Sequence, residues 1–318
     1  MTTTMTVGAI KPNAAVVANS PFSKVTFAAW IDYCDIKPCT QRTYNKAVEN
    51  FAKYLADNSI EQPQRQDVIN YRESLLNGGY AVSSVRLYLT VVKKFFKWLS
   101  SNLIYANVAD NVKIPEMPTE HSRDAISIEE ARQAISSFTG ETEKQLRDKC
   151  ILSLMIGAGL RSVEICRLDV GDLEKRKGIW FLNIHGKARS GKTDSVKVTS
   201  EMKKLLDAYL SVRPKGKKNS PLFISTANRC RGARLQTQTV SRLAKRTFKA
   251  VGIESSRICC HSCRHTFITE LLNAGVAMRN VQLGARHRSA TVTERYAHDK
   301  EKFNNPAFDI MSRLLFVA

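Results

Sequence analysis

The chain has 318 residues, 43% of them apolar, and contains neither an apolar run long enough to cross a bilayer nor a recognisable secretion signal. Its 49 lysines and arginines exceed its 29 acidic residues, and the net charge of +20 favours a polyanionic partner, most often nucleic acid. Residues 122–318 hold 36 of the basic and 19 of the acidic residues, so most of the positive charge lies there. The length is typical of two domains, and the scattered cysteines indicate reduced thiols in a cytoplasmic protein.

The first part of the chain is predicted to be a small helical domain. Residues 1–23 are rich in Thr, Ala and Asn without a period, which is typical of a flexible tail. Over residues 24–106 the apolar residues recur at helical spacing in four segments, the second with a candidate N-cap at Thr40, and this pattern predicts a four-helix bundle. The fourth segment carries three lysines that either contact DNA phosphates or form a solvated face: Lys93, Lys94 and Lys97.

A linker and a second domain are predicted next. Residues 107–123 combine prolines and polar residues without a period, so we interpret them as the linker. The second domain, residues 124–299, opens at S-I-E-E, where Ser127 is the predicted N-cap and Glu130 completes a capping box. A helix over about residues 142–158 then ends at G-A-G-L.

Two strand-like segments follow, at residues 179–185 and 194–199, before the pattern becomes helical again. Between them G-K-A-R-S-G-K-T, residues 186–193, matches the P-loop pattern at every fixed position. A P-loop must open a helix, because the helix N-terminus holds the phosphates, whereas a strand-like alternation follows here. We therefore interpret this stretch as the tip of a β-hairpin that presents Lys187 to DNA. The predicted fold class is mainly α with a small β-sheet.

The cysteine and histidine cluster at C-C-H-S-C-R-H is a weak candidate for a zinc site. Cys260 and Cys263 have the spacing of one ligand pair, but a structural zinc site usually needs two such pairs. The nearest cysteine outside this cluster, Cys230, stands alone in the sequence. We expect no metal here.

The residues around this cluster have the chemistry of phosphoryl transfer. Two arginines are suited to hold phosphate oxygens, a lysine to protonate a leaving oxygen, two histidines to move protons and a tyrosine to attack. No cluster of carboxylates is available for Mg²⁺, so cationic side chains would stabilise the charge. The six candidate catalytic residues are Arg161, Lys187, His261, Arg264, His287 and Tyr296.

In these motifs the chain resembles the tyrosine recombinases, the class of phage integrases and Xer-type recombinases. The motifs that carry the resemblance are G-L-R-S-V-E at Arg161, G-K at Lys187, H-S-C-R-H at His261, and His287 nine residues before Tyr296. One departure stands out: where the family usually has L-G-H, this chain has L-G-A-R-H.

The resemblance implies a helical core-binding domain and a mixed α/β catalytic domain that together clamp duplex DNA. It implies attack by Tyr296, a 3′-phosphotyrosyl bond, and strand exchange by four protomers through a Holliday junction, with no cofactor. The DNA target would be a core sequence with inverted repeats. The protein would be cytoplasmic and associated with the nucleoid. Supporting roles fall to Glu164 and His265. The expected DNA contacts in the second domain are Arg189, Lys192, Arg286 and Arg288. For Arg286 and Arg288 the alternative interpretation is simple surface charge.

Two alternatives and one further segment remain open from the sequence. A type IB topoisomerase uses a similar residue set to relax DNA, and a non-catalytic DNA-binding protein would keep only the fold. The tail, residues 300–318, has an N-N-P break followed by an apolar stripe at helical spacing. This stripe either packs on its own domain or docks in trans on a neighbouring protomer.

Overall fold

The structure is a computed structural model that describes residues 21–117, 124–185 and 192–287, together with Ser289, Ala290 and Thr293. The chain divides into two compact units, Met1–Thr119 and Glu120–Ala318. Among the helices of the described residues, none is both long enough and apolar enough to span a membrane.

The described part of the first unit is built from helices. They are α1 (Lys24–Tyr33), α2 (Pro38–Asp57), α3 (Arg65–Asn77) and α4 (Val82–Ser101). The four helices predicted from apolar spacing are therefore confirmed. Helix α2 begins two residues before the predicted cap at Thr40, because a proline at the first helical position has no N–H group to leave unpaired.

Aromatic side chains fill the core of this unit. Trp30 of α1 stacks on Tyr44 of α2 with ring centroids 5.7 Å apart, and Phe51 meets Phe96 of α4 edge to face at 5.9 Å. These rings come from different helices and are buried. Helical spacing places them on inward faces, so their burial holds the bundle together.

The first part of the predicted linker packs against the bundle. Ala109 and Val112 are buried in its core. Lys93 Nζ donates to the Val112 carbonyl at 2.9 Å, and Arg86 donates to the carbonyl of Pro115. Residues 107–115 therefore extend the first unit.

The second unit contains helices around a small sheet. Its elements are α5 (Ile128–Ser136), α6 (Glu143–Gly157), α7 (Ser162–Arg167), β1 (Leu173–Arg176), β2 (Ile179–His185), β3 (Lys192–Val198), α8 (Ser200–Val212), α9 (Thr237–Ala250), α10 (Cys260–Asn273) and α11 (Met278–Ala285). Helix α5 opens with the predicted capping box, in which the Glu130 N–H donates to Ser127 Oγ at 3.1 Å. The predicted fold class is confirmed.

The three described strands form an antiparallel sheet in the order β1-β2-β3. His185 at the end of β2 pairs with Lys192 at the start of β3, so the two antiparallel strands form a hairpin. Because residues 192–198 continue as a strand, the G-K-T sequence does not open a helix and the P-loop interpretation is excluded. The predicted hairpin is confirmed, while its tip lies outside the described residues.

The core of the second unit surrounds α6. Ile151 and Leu154 of α6 are buried together with Leu182 and Ile184 of β2. The alternation of β2 turns these two residues inward, against the helix. This packing fixes the end of α6, from which the candidate active site begins.

Candidate active site

A left-handed turn at Gly159 connects α6 to the site. Gly159 has φ +59°, and a Cβ atom there would lie 2.6 Å from the ring of Phe267 on α10. Only glycine suits both the backbone conformation and the close ring. The turn points the Gly159 carbonyl at two guanidinium groups, since Arg264 Nη1 donates to it at 2.6 Å and Arg286 Nη2 at 2.9 Å.

Arg161 is the N-cap residue of α7. Glu164 accepts hydrogen bonds from its backbone N–H at 2.9 Å and from its Nη1 at 2.6 Å. One carboxylate therefore holds both the backbone and the side chain of Arg161. The Arg161 side chain remains 20% exposed, which leaves an edge of its guanidinium for an incoming anion.

Glu164 is a buried, charged residue. Its side chain is 1% exposed. Burial by itself raises the pKa of this carboxyl, but Arg286 and Arg161 together outweigh burial, so the pKa lies below its ordinary value. The carboxylate is therefore negative near neutral pH, a placement that suits the supporting role predicted for it.

Helix α10 carries the H-S-C-R-H motif. Arg264 is buried, and it donates both to Gly159 and to the carbonyl of Ala285 at the end of α11. His261 lies one turn earlier and is exposed. His265 Nδ1 lies 3.2 Å from Thr269 Oγ1 one turn further along the helix. The motif thus has a fixed arginine, an accessible histidine and a histidine that hydrogen-bonds within its own helix.

His287 follows α11 beside these arginines. Its Nδ1 lies 2.9 Å from the hydroxyl of Thr293, which is fully buried. Burial, followed by the positive charges of Arg264, Arg161 and Arg286, lowers the pKa of His287 to about 4. The ring is therefore a neutral imidazole between pH 5 and 8, suited to donating one hydrogen bond rather than to carrying a charge.

Arg286 does not lie on the surface. Its side chain is 6% exposed, and its Nη2 lies 2.9 Å from Glu164 Oε2. The sequence predicted a DNA contact or simple surface charge for this residue. In the structure its guanidinium faces the interior of the site, so the surface-charge interpretation is wrong.

The structure thus brings together Arg161, Glu164, Arg264, Arg286 and His287. Among the predicted DNA contacts of the first unit, Lys93 is bound to the Val112 carbonyl, Lys94 Nζ lies 2.9 Å from the Tyr44 hydroxyl, and Lys97 is exposed. The predicted residues outside the described part of the chain are Lys187, Arg189, Arg288, Tyr296 and the side chain of Lys192.

Sequence reasoning missed two contributors to this site. Thr293 orients His287, and its position three residues before Tyr296 was a weak signal for that contact. Gly159 supplies a shared carbonyl acceptor, and its place in G-A-G-L immediately before Arg161 indicated a turn. Neither sequence pattern identified the partner.

Gly159→Ala is expected to destabilise the second unit more than an alanine at an open left-handed glycine. Both positions require about 1–2 kcal/mol for the left-handed alanine. The contact with Phe267 adds about 1–3 kcal/mol at residue 159. Gly252→Ala is the matched control, because Gly252 has φ +84° and a Cβ atom added there would meet nothing within 4 Å. Urea unfolding measures both, and equal losses would contradict the proposed ring contact.

Two parts of the chain match known protein families. Residues 127–302 match the phage integrase family, and residues 31–102 match the phage integrase N-terminal SAM-like domain. The chain belongs to the phage integrase family. As a member it is a tyrosine-type site-specific recombinase, and the family and enzyme class predicted from the motifs are confirmed. The topoisomerase and non-catalytic alternatives are not favoured.

Relatives and solved structures of this family cover most of the chain. Tyrosine recombinase XerA of Pyrococcus horikoshii is 29% identical over 234 residues, which span 74% of this chain and 75% of the relative. The structure of XerH bound to a palindromic difH substrate, a post-cleavage complex, superposes with a TM-score of 0.72 at 18% identity. The superposition covers 90% of this chain and 84% of the XerH chain. A lambda integrase tetramer bound to a Holliday junction has a TM-score of 0.66 at 16% identity, covering 90% and 81%. The two structures share the fold.

Proposed function

We propose that the protein cuts and rejoins duplex DNA at a specific core site through a 3′-phosphotyrosyl intermediate on Tyr296. The observation that carries the proposal is the cluster formed by Arg161, Arg264 and His287. Two arginines with fixed positions and a neutral imidazole offer hydrogen-bond donors in a partly buried setting, where they stabilise a phosphate in its transition state.

Each described residue of the cluster has a definite part in this proposal. Arg161 and Arg264 bind the non-bridging oxygens of the scissile phosphate. Arg264 donates to the carbonyls of Gly159 and Ala285, and these two bonds fix its guanidinium beside Arg161 and His287. His287 donates its ring N–H to the same phosphate. His261, exposed on the first turn of α10, supplies a further proton donor or acceptor.

The covalent step balances without an external energy source. The Tyr296 oxygen attacks phosphorus while its phenolic proton passes to His261, the bond to the 5′-oxygen breaks, and Lys187 supplies the proton to that leaving oxygen. The phosphodiester energy is kept in the phosphotyrosyl bond. A 5′-hydroxyl from the partner duplex then attacks phosphorus and gives its proton to Lys187, while the released Tyr296 oxygen takes a proton back from His261. The cycle therefore consumes neither a nucleotide nor a metal-bound water.

The partner and assembly follow from the same chemistry. The net charge of the second unit suits a polyanion. Solved structures of the same fold include a lambda integrase dimer bound to a core site and a lambda integrase tetramer bound to a Holliday junction. We infer that this protein assembles as a tetramer on two core sites with inverted repeats. Lys97, Arg189, Lys192 and Arg288 would bind the DNA backbone. An enzyme with this substrate works in the cytoplasm, associated with the nucleoid.

A nicked substrate tests the proposed function. The binding site is first selected from a random duplex pool with the purified protein, and a nick is then placed near the cleavage point so that the released fragment diffuses away. We expect a covalent protein–DNA adduct with a free 5′-hydroxyl. Absence of an adduct would leave only a DNA-binding role. Relaxation of supercoiled DNA without exchange between two sites would point to a topoisomerase.

Deletion of residues 307–318 is expected to weaken synapsis while binding to a single site stays nearly intact. These residues lie outside the described part of the chain, and their apolar stripe needs a surface to bury it. We propose a neighbouring protomer as that surface, since the N-N-P break provides a hinge. Gel-shift titration resolving one, two and four bound protomers measures the effect.

The control for this deletion is Asp309→Ala, which lies opposite the apolar stripe on a helical projection. It should assemble like the full-length protein. If the truncated protein forms synapses equally well, or fails to fold, the tail packs on its own domain.

A further inference from the structure

Arg286 occupies an unusual backbone position for a residue with a buried side chain. It has φ 55° and ψ 45°, directly after α11. Such left-handed conformations are unfavourable for residues with a Cβ atom. Within the described ranges, the other non-glycine residues with positive φ are all exposed: Asp35, Ser59, Leu103, Asn111 and Lys177. A strained position with a buried charge needs a compensating interaction.

The compensating interactions converge on the turn before Arg161. Arg286 Nη2 donates to the Gly159 carbonyl and to Glu164 Oε2, both at 2.9 Å. Its Nη1 donates to Gly284 at 2.8 Å and reaches the Ala158 carbonyl at 3.4 Å. The side chain therefore ties the end of α11, beside His287, to the turn that carries Arg161.

Charge balance gives this contact a chemical consequence. Glu164 carries one negative charge and touches two arginines, Arg161 at 2.6 Å and Arg286 at 2.9 Å. With Arg286 present, the three arginines of the site (Arg161, Arg264 and Arg286) and the one carboxylate leave a surplus of two positive charges. Without Arg286 the carboxylate would pair with Arg161 alone, and the surplus would fall to one. The reacting phosphate is an anion, so the loss of one positive charge should destabilise most the transition state, in which negative charge develops.

We propose that Arg286 is a positioning residue that neutralises Glu164, so that the carboxylate does not offset the positive charge that Arg161 and Arg264 present to the scissile phosphate. The proposal rests on the proposed function, since it assigns Arg286 a part in the same cleavage step. It also explains the departure from L-G-H in this chain: the arginine beside the histidine is directed inward, to the carboxylate. The role is indirect, because both Nη groups of the guanidinium donate to protein acceptors.

The test uses Arg286→Gly, in which glycine suits the left-handed backbone while the guanidinium is removed. Its matched control is Lys177→Gly, which removes one positive charge at a left-handed position, φ 48°, in the exposed turn between β1 and β2. We expect Arg286→Gly to cleave the nicked substrate roughly 10- to 100-fold more slowly, with little change in DNA affinity. Lys177→Gly should cleave at the wild-type rate.

The double variant Arg286→Gly/Glu164→Gln distinguishes an effect of the charge of the site from a loss of folded structure. It removes the carboxylate along with its partner and restores the surplus of two positive charges. We expect it to regain most of the cleavage lost in Arg286→Gly, whereas a residue that only holds the fold would show no such rescue. The double variant also leaves no buried carboxylate with a missing partner, so it remains informative if Arg286→Gly folds poorly.

The outcomes distinguish this inference from the proposed function. If the wild-type protein forms no adduct, the proposed function itself fails. If the wild type cleaves and Arg286→Gly cleaves equally fast, the positioning role is wrong. If the double variant is as slow as Arg286→Gly at equal thermal stability, Arg286 does not act through Glu164, and the inference is overturned.

Discussion

Tyr296→Phe is expected to bind the selected DNA site with wild-type affinity and to form no covalent adduct at all. The substitution removes only the phenolic oxygen and leaves the aromatic ring and every charged side chain of the protein unchanged. The loss should be complete, because the phenolic oxygen of Tyr296 is the attacking atom in the proposed reaction. Denaturing gel electrophoresis of the labelled nicked substrate measures the adduct, and a gel shift measures binding.

The structure strengthens the choice of Tyr296 by excluding another tyrosine of the second unit. Tyr209 is fully buried, and its hydroxyl accepts the N–H of Ile224 at 3.2 Å. Burial raises the pKa of Tyr209, so its oxygen is neither accessible nor easily ionised. Tyr33→Phe is the matched control, since Tyr33 is 67% exposed in the first unit and should be dispensable. An adduct of unchanged yield from Tyr296→Phe would place the nucleophile elsewhere.

Lys187→Ala is expected to slow cleavage by roughly 10²–10⁴-fold, the usual contribution of a general acid. Lys187 lies in the connection between β2 and β3, two residues after His185, at a hairpin closed by the pairing of His185 with Lys192. Such a tip can carry an ammonium group to the leaving oxygen. Single-turnover cleavage of the nicked substrate measures the rate.

A chemical rescue identifies the step that Lys187 serves. A substrate with sulfur at the 5′-bridging position leaves without a proton, so the Lys187→Ala variant should cleave it at close to the wild-type rate. Lys192→Ala is the matched control, because that lysine begins β3 on the same hairpin. If Lys192→Ala shows both the loss and the rescue, the general acid is Lys192. Added ATP should change neither variant, because the match to a P-loop lies in a β-hairpin.

Much of the fold could be predicted because its signals are local. Helix α4 shows apolar residues at helical spacing, and α5 opens with a capping box whose two residues are three positions apart. The hairpin was recognised from the alternation after residue 193, which rules out a helix at the point where a P-loop requires one. The N-cap of α2 is Lys37, three residues before the predicted Thr40, because the proline that follows Lys37 suits the first helical position.

The catalytic residue types could be read from the amino-acid sequence alone, because arginine, lysine, histidine, arginine, histidine and tyrosine follow one another at spacings typical of one family. The contacts that hold these side chains in place required the tertiary structure. Arg264 reaches the Gly159 carbonyl across 105 residues of chain, and Arg286 reaches Glu164 across 122. No local period encodes such contacts, because they form only when α10 and the end of α11 pack against the turn after α6. For the same reason Arg286 was interpreted as a DNA contact or surface charge, while the fold buries its guanidinium against a carboxylate.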